Sequence, residues 1–214
     1  MKRIYFVRHG QSEGNIGLIR QHSSTALTDL GRKQANLVAD RLSTYPIETI
    51  ISSTMSRAQE TAQIIANRIN KEIEFSDLFV ERRRPSEQIG KPKDDLIALE
   101  SQRLIEENFL TPDYYYSDEE NFTDLKNRAS QMLNFVAERP EENILVVGHG
   151  YIMRLVLAYA ICGPNLSALE GQKFINALKT NNTGMTIFDY NPESAHPWQV
   201  LVWNDHAHLE GLVE

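Results

Sequence analysis

The run NILVV at residues 143–147 is the most apolar short stretch in the chain, and it stops abruptly at Gly148-His149-Gly150. A strand this uniformly apolar must be covered on both faces, which places it near the middle of a parallel sheet flanked by helices. The neighbouring sequence follows the same plan. Residues 2–7 (KRIYFV) read as a buried strand ended by a glycine turn. A helix capped by Thr28 or Asp29 runs to about Ser43, with Leu30, Leu37, Val38 and Leu42 on one face. ETIIS at 48–52 is a second short strand. A helix from about Ser56 follows, with Ala58, Ala62, Ile65 and Ile69 at helical spacing, and residues 72–75 give another strand.

From about Asp77 to Glu120 the pattern loosens, with prolines at 85, 92 and 112. One helix is expected over 95–109, followed by a polar, tyrosine-rich loop at TPDYYYSDEE. A long amphipathic helix covers 121–138, and a further helix runs from Tyr151 to Ile161. Residues 185–190 and 199–203 read as two last strands. The sequence thus predicts an α/β fold, a three-layer α/β/α sandwich. Its central sheet is mostly parallel, with helices on both faces and a helical insertion near 82–120, in a single domain over 1–214.

Three strand-to-helix junctions in this plan are polar in the same way. The first ends in Arg8-His9-Gly10, the second leads through Ser52-Ser53 to Arg57, and the third ends in Gly148-His149-Gly150. Ligands of open α/β sheets bind beyond the carboxyl ends of the strands. If the three strands are parallel neighbours, two histidines and two arginines meet in one crevice, beside helix starts with free N–H groups. Each motif alone is more often incidental than catalytic, and Arg57 alone would most often be a solvated helix residue. Together they point to a phosphoryl ligand. Guanidinium forks match tetrahedral oxyanions through paired hydrogen bonds. A neutral imidazole can attack phosphorus, and neighbouring arginines keep His9 neutral. Gln11 and Asn15, just past the turn, offer neutral donors, and Gly10 lets backbone N–H groups approach the phosphate.

Other chemistries find less support. The net charge of −7 argues against a nucleic-acid binder. No apolar run approaches bilayer length, and the start is too short for a signal-peptide core, so no membrane partner and a cytoplasmic location are expected. The one cysteine, Cys162, has no partner for a disulfide or thiolate cluster. His206 and His208 beside Asp205 lack a clear third ligand, so they read as packing residues and no metal is expected. Neither a P-loop nor a G-x-S-x-G elbow is present, and no cofactor is expected.

The motifs resemble those of the histidine phosphatase superfamily, also called phosphoglycerate mutase-like. VRHGQSEGN resembles its opening signature, ALTDLGRKQA the stretch that follows, SSTMSRAQETA the segment of its second phosphate-binding arginine, and VVGHGYIMR that of its second histidine. VLVWNDHAHL is similar to the ending of many members. The resemblance implies that His9 becomes phosphorylated, that Arg8, Arg57 and His149 complete the phosphate pocket, and that Asn15 assists. It also implies a general acid after the third strand, here Glu81, with Glu87 as second choice. Glu81 is otherwise a surface carboxylate paired with Arg82 to Arg84.

Two stretches depart from the superfamily pattern. RQHSSTALT lacks the Gly-x-x-Asp-x-Pro features before Leu-Thr, and an arginine run replaces Gly-x-Trp-Glu-Gly after Glu81. Both border the substrate in the family, so the pattern implies the reaction and leaves the substrate open. The expected function is a metal-independent phosphatase acting on a small phosphomonoester. A phosphoglycerate mutase is the alternative, for which the chain is short and lacks the tryptophan-bearing segment. A phospho-ligand-binding protein without turnover is a third reading, though binding alone needs no acid. Oligomeric state is left open by the sequence, as is whether Tyr114, Tyr115 and Tyr116 cap the pocket or simply pack.

Overall fold

Strand and helix alternate along the chain as far as Phe75, then again after the irregular stretch. β1 (Lys2–Arg8) leads through one helical turn, α1 (Glu13–Ile16), to α2 (Asp29–Leu42). Next come β2 (Thr49–Ser52), α3 (Ser56–Ile69) and β3 (Ile73–Phe75). α4 (Leu96–Glu107) and α5 (Phe122–Ala137) precede β4 (Asn143–Gly148) and α6 (Gly150–Cys162). α7 (Ala168–Ala177), β5 (Met185–Tyr190) and β6 (Trp198–Asp205) complete the order. This computed structural model describes residues 1–212.

The six strands form one sheet in the order β3-β2-β4-β1-β5-β6. β1 pairs parallel with β4, β4 with β2 and β2 with β3, while β5 runs antiparallel to both its neighbours, β1 and β6. The three strands whose ends carry the polar junctions are therefore parallel neighbours, with the NILVV strand between the other two. Alternation of side chains along each strand splits the core into two layers. Ile4, Phe6, Ile144 and Val146 face α5 and α6, whose Leu125, Met132, Leu133, Leu155 and Val156 are fully buried. Tyr5, Val7, Leu145 and Val147 face α2 and α3, against Val38, Leu42, Ala62 and Ile65. Helices thus cover both faces, as the apolar strand sequences require.

α2 begins at Thr28, whose hydroxyl accepts the Gly31 N–H at 3.0 Å. α7 was not anticipated, although Ser167 and Glu170 form a capping box that the sequence spells as Ser-x-x-Glu. In the irregular stretch α4 forms as expected. No helix is long and apolar enough to cross a membrane among the described residues.

Candidate active site

The carboxyl ends of β1, β2 and β4 open into a cavity of about 1110 Å³. His9 follows β1 directly and is 97% buried, with 3% of its surface exposed. Its Nδ1 lies 2.6 Å from the Gly10 carbonyl oxygen. A carbonyl can only accept, so Nδ1 carries the proton and Nε2 the lone pair. Nε2 accepts from Arg57 Nε at 3.2 Å. Burial holds the His9 pKa well below the usual histidine value, and His149, Arg57 and Arg8 push it the same way. The imidazole is neutral, in one tautomer, with its lone pair turned toward a guanidinium.

His149 caps α6 from the end of β4, its ring 5.1 Å from that of His9. Its Nε2 meets Ser53 Oγ at 2.9 Å, while Nδ1 is buried without a partner. Burial, with Arg57 and Arg8, lowers its pKa as well. Arg57 sits in the first turn of α3 and is buried, which pulls its pKa down to about 10. Arg8 ends β1, bonds the Thr180 carbonyl at 2.5 Å and leaves Nε buried without a partner. Gly150 makes room for it: a Cβ there would stand 2.4 Å from Thr180 Oγ1 and 3.3 Å from Arg8 Nε.

Glu81 is not paired with the arginine run beside it. Its carboxylate accepts the backbone N–H groups of Arg82, Ile152 and Tyr151 at 2.9, 3.0 and 3.1 Å. Burial pushes its pKa up, but these three donors, with Arg57, outweigh it and hold the group below the usual carboxylate range. The start of α6 is therefore occupied by Glu81, and two of its N–H groups are not free for a phosphate as the sequence suggested.

Asn15 lines the cavity, its Oδ1 accepting from Ser12 N at 2.9 Å and Ser12 Oγ at 3.0 Å. Gln11 does not line it; Gln11 Oε1 accepts from Thr28 Oγ1 at 2.8 Å. Glu87 also lies outside the lining residues. Gly10 has a different use from the one inferred. Its N–H is taken by Thr61 Oγ1 at 3.1 Å, and a Cβ would lie 2.4 Å from the Gly31 carbonyl oxygen. The glycine lets the start of α2 close against the β1 turn.

The 82–120 segment supplies Arg82, Arg83, Arg84 and Lys93 to the cavity wall, whereas Tyr114 and Tyr115 do not line the cavity and border smaller hollows that adjoin it through Arg82 and Arg83. Near the chain end His208 Nε2 meets Thr183 Oγ1 at 2.9 Å, His206 Nδ1 lies 2.8 Å from the Asn204 carbonyl oxygen, and Asp205 pairs with Arg41. Among the described residues there is no metal-binding cluster of three or more His, Cys, Asp or Glu.

The chain has counterparts among known proteins. The sequence matches the histidine phosphatase superfamily (branch 1) over residues 4–206. The chain belongs to that superfamily. It is 30% identical to the probable phosphoglycerate mutase GpmB of Proteus mirabilis, over 99% of this chain and 97% of the relative. Among solved structures, YhfR of Bacillus stearothermophilus superposes with a TM-score of 0.82 at 24% identity, over 98% of this chain and all of the other. A mutant phosphoserine phosphatase of Entamoeba histolytica, in complex with phosphoserine, gives 0.77 at 23% identity, with 98% and 100% covered. At such identities the structures show the shared fold.

Several residues around the cavity and His9 were not singled out from the sequence. Arg154 lies one helical turn after Gly150, and its guanidinium bonds the Gly150 and Ile175 carbonyls. The helical spacing from Gly150 was the available signal. Asn182 Nδ2 donates to the His9 carbonyl at 2.9 Å, and Thr183 N to the Arg8 carbonyl at 3.0 Å. These residues stand far along the chain, and no local pattern ties them to His9.

Proposed function

We propose that the chain is a phosphomonoesterase that works through a phosphohistidine on His9, with side chains alone supplying the chemistry. The observation that carries this reading is the fixed His9 tautomer, with Nε2 unprotonated beside Arg57. Nε2 attacks phosphorus and forms a P–N bond while the P–O bond to the leaving alcohol breaks. Arg8, Arg57 and His149 hold the phosphoryl oxygens, where charge accumulates in the transition state, and Asn15 assists. Glu81 delivers a proton to the leaving oxygen. It then takes one from water as that water attacks phosphorus, breaking the P–N bond and returning the lone pair to His9.

The resting Glu81 is a carboxylate, so its proton must arrive with the substrate. A phosphate monoester has a second ionisation near pH 6, and its monoanion brings a proton into the site. Entry of that negative charge beside Glu81 also raises the carboxylate's proton affinity. The mutase reading keeps the phosphohistidine and differs only in the acceptor; the kinship to probable phosphoglycerate mutases favours it. Incubation with an aryl phosphate and with 3-phosphoglycerate separates the two. Release of inorganic phosphate from either supports the phosphatase. Conversion of 3- to 2-phosphoglycerate without net release makes the chain a mutase, and binding of both without turnover makes it a binding protein.

A further inference from the structure

The chain contains fourteen arginines. Among the described residues, seven have a carboxylate within 4.0 Å, and of these only Arg128 reaches the cavity. The other seven all line it. Asp77, Glu81, Asp118 and Glu120 also line the cavity, yet among the described residues no carboxylate comes within 4.0 Å of these seven guanidiniums. Arg8 and Arg57 are accounted for by the reacting phosphate. Arg154 and Arg83 spend Nε–H groups on close main-chain carbonyls, at Gly150 (3.1 Å) and Asp118 (2.5 Å) respectively. Arg20, Arg82 and Arg84 remain.

These three are held in place without being neutralised. Arg82 lies over the Tyr151 ring at 3.9 Å, and Arg84 Nη1 donates to Gln102 Oε1 at 2.8 Å. Arg20 Nε is buried with no partner, and its Nη2 reaches only the Lys93 carbonyl, at 3.5 Å. Arg82 and Arg20 are both close enough to repel Arg84: burial first, then these two charges, bring the Arg84 pKa down to about 10 despite the opposing pull of Glu81. A guanidinium buried as Arg84 is, with like charges beside it, destabilises the fold unless an anion joins it.

The two segments that carry them are also physically joined. Arg20 N donates to the Lys91 carbonyl at 2.9 Å, Gly90 N to the Arg20 carbonyl at 3.2 Å, and Lys93 N to the Leu18 carbonyl at 2.6 Å. Ile19 and Pro92 form a bridge within this contact. Arg20 opens one of the two stretches where the sequence departs from the superfamily pattern, and residues 90–93 lie just past the other. The two departures meet in one basic wall built from two strips of chain.

We propose that Arg20, Arg82 and Arg84 form a second anion subsite, so the substrate is a phosphomonoester whose alcohol portion bears another full negative charge, a carboxylate or a second phosphate. This rests on the phosphatase reading in placing the reacting phosphate at Arg8 and Arg57. Guanidinium forks suit both groups, so the experiment separates them by using alkyl phosphates of two to six carbons ended by methyl, carboxylate or phosphate. Two quantities are measured for each: kcat/KM with the wild-type protein, and Kd with His9→Ala protein, which requires no turnover.

At one chain length or more, a charged ester is expected to exceed its methyl counterpart by at least tenfold in both. Which terminus wins identifies the anion. Arg20→Ala and Arg84→Gln should each reduce that preference on the order of tenfold, and Arg20→Lys and Arg84→Lys should restore part of it. Equal treatment of methyl and charged esters by folded wild-type protein overturns the subsite, as does a preference that survives both substitutions. Charge-selective binding to His9→Ala protein, with no hydrolysis by the wild type, would keep the subsite and reject the phosphatase.

Discussion

Arg57 Nε donates to His9 Nε2 across 3.2 Å, joining a guanidinium on α3 to an imidazole at the end of β1. The contact keeps a positive charge beside the Nε2 lone pair, which favours the unprotonated imidazole, and in the proposed reaction the same charge attracts the phosphate. Arg57→Ala is expected to lower kcat/KM for an aryl phosphate by roughly 10²–10³-fold, the range for losing one charge-stabilising donor. Arg57→Lys should recover only part of this, because an ammonium cannot match two phosphoryl oxygens with a planar fork. Steady-state kinetics check it, and wild-type rates in Arg57→Ala would remove Arg57 from the phosphate pocket.

Glu81 is expected to matter in proportion to the basicity of the leaving group. Glu81→Gln should slow alkyl phosphates by about 10²–10⁴-fold, the usual contribution of a positioned acid, and aryl phosphates far less. Because Glu81 rests as a carboxylate, kcat/KM for alkyl esters should fall above about pH 6, where the substrate monoanion is depleted. Rates for paired alkyl and aryl esters across pH 4–9 decide the matter, and equal losses for both esters count against the acid.

Close packing at the β1 turn should be intolerant of a single methyl group. A Cβ at Gly31 would lie 1.9 Å from the Gln11 carbonyl oxygen, a backbone atom that cannot swing away. Gly31→Ala is expected to destabilise the fold by on the order of 1–3 kcal/mol. Thermal or urea denaturation measures this directly, and a wild-type midpoint would mean that the turn and α2 part easily.

Stability should also depend on pH through buried histidines. Burial lowers the pKa of His9, His149 and His208, the last to about 4. Below about pH 6.5 the unfolded chain takes up protons at these positions before the folded one does. Their contribution is therefore complete above that pH and declines as pH falls toward the folded values. Melting temperature should drop between pH 7 and pH 5, with a shallower slope in His208→Gln. An identical slope in that variant would show that His208 is not a source of the effect.

The fold was legible because its signals are local and periodic. NILVV is apolar at every position, as a strand covered on both sides must be, and Ala58, Ala62 and Ile65 mark the buried face of α3. The meeting of His9 and His149 was legible for a related reason: strand ends in a parallel sheet converge, so motifs at equivalent junctions meet in space. What the sequence obscured is what side chains do after convergence. Gln11 stands two residues from His9 yet turns to Thr28, and Gly10 serves helix packing instead of presenting its N–H. Asn182 reaches the His9 carbonyl from 173 positions away, a relation no local pattern encodes. The pairing of residues 18–20 with 90–93 was hidden in the same way, and it is what gives the arginine run after Glu81 its place in the cavity wall.

The central claim is that His9 Nε2 forms a bond to phosphorus. Rapid quenching of the protein with a phosphate-labelled ester, followed by intact-mass and acid–base stability analysis, tests this most directly. The account predicts one phosphoryl group per chain, labile in acid and stable in base, located on His9 and absent from His9→Ala protein, which should also have lost turnover. Full turnover by His9→Ala protein, or a label that is stable in acid, would contradict it.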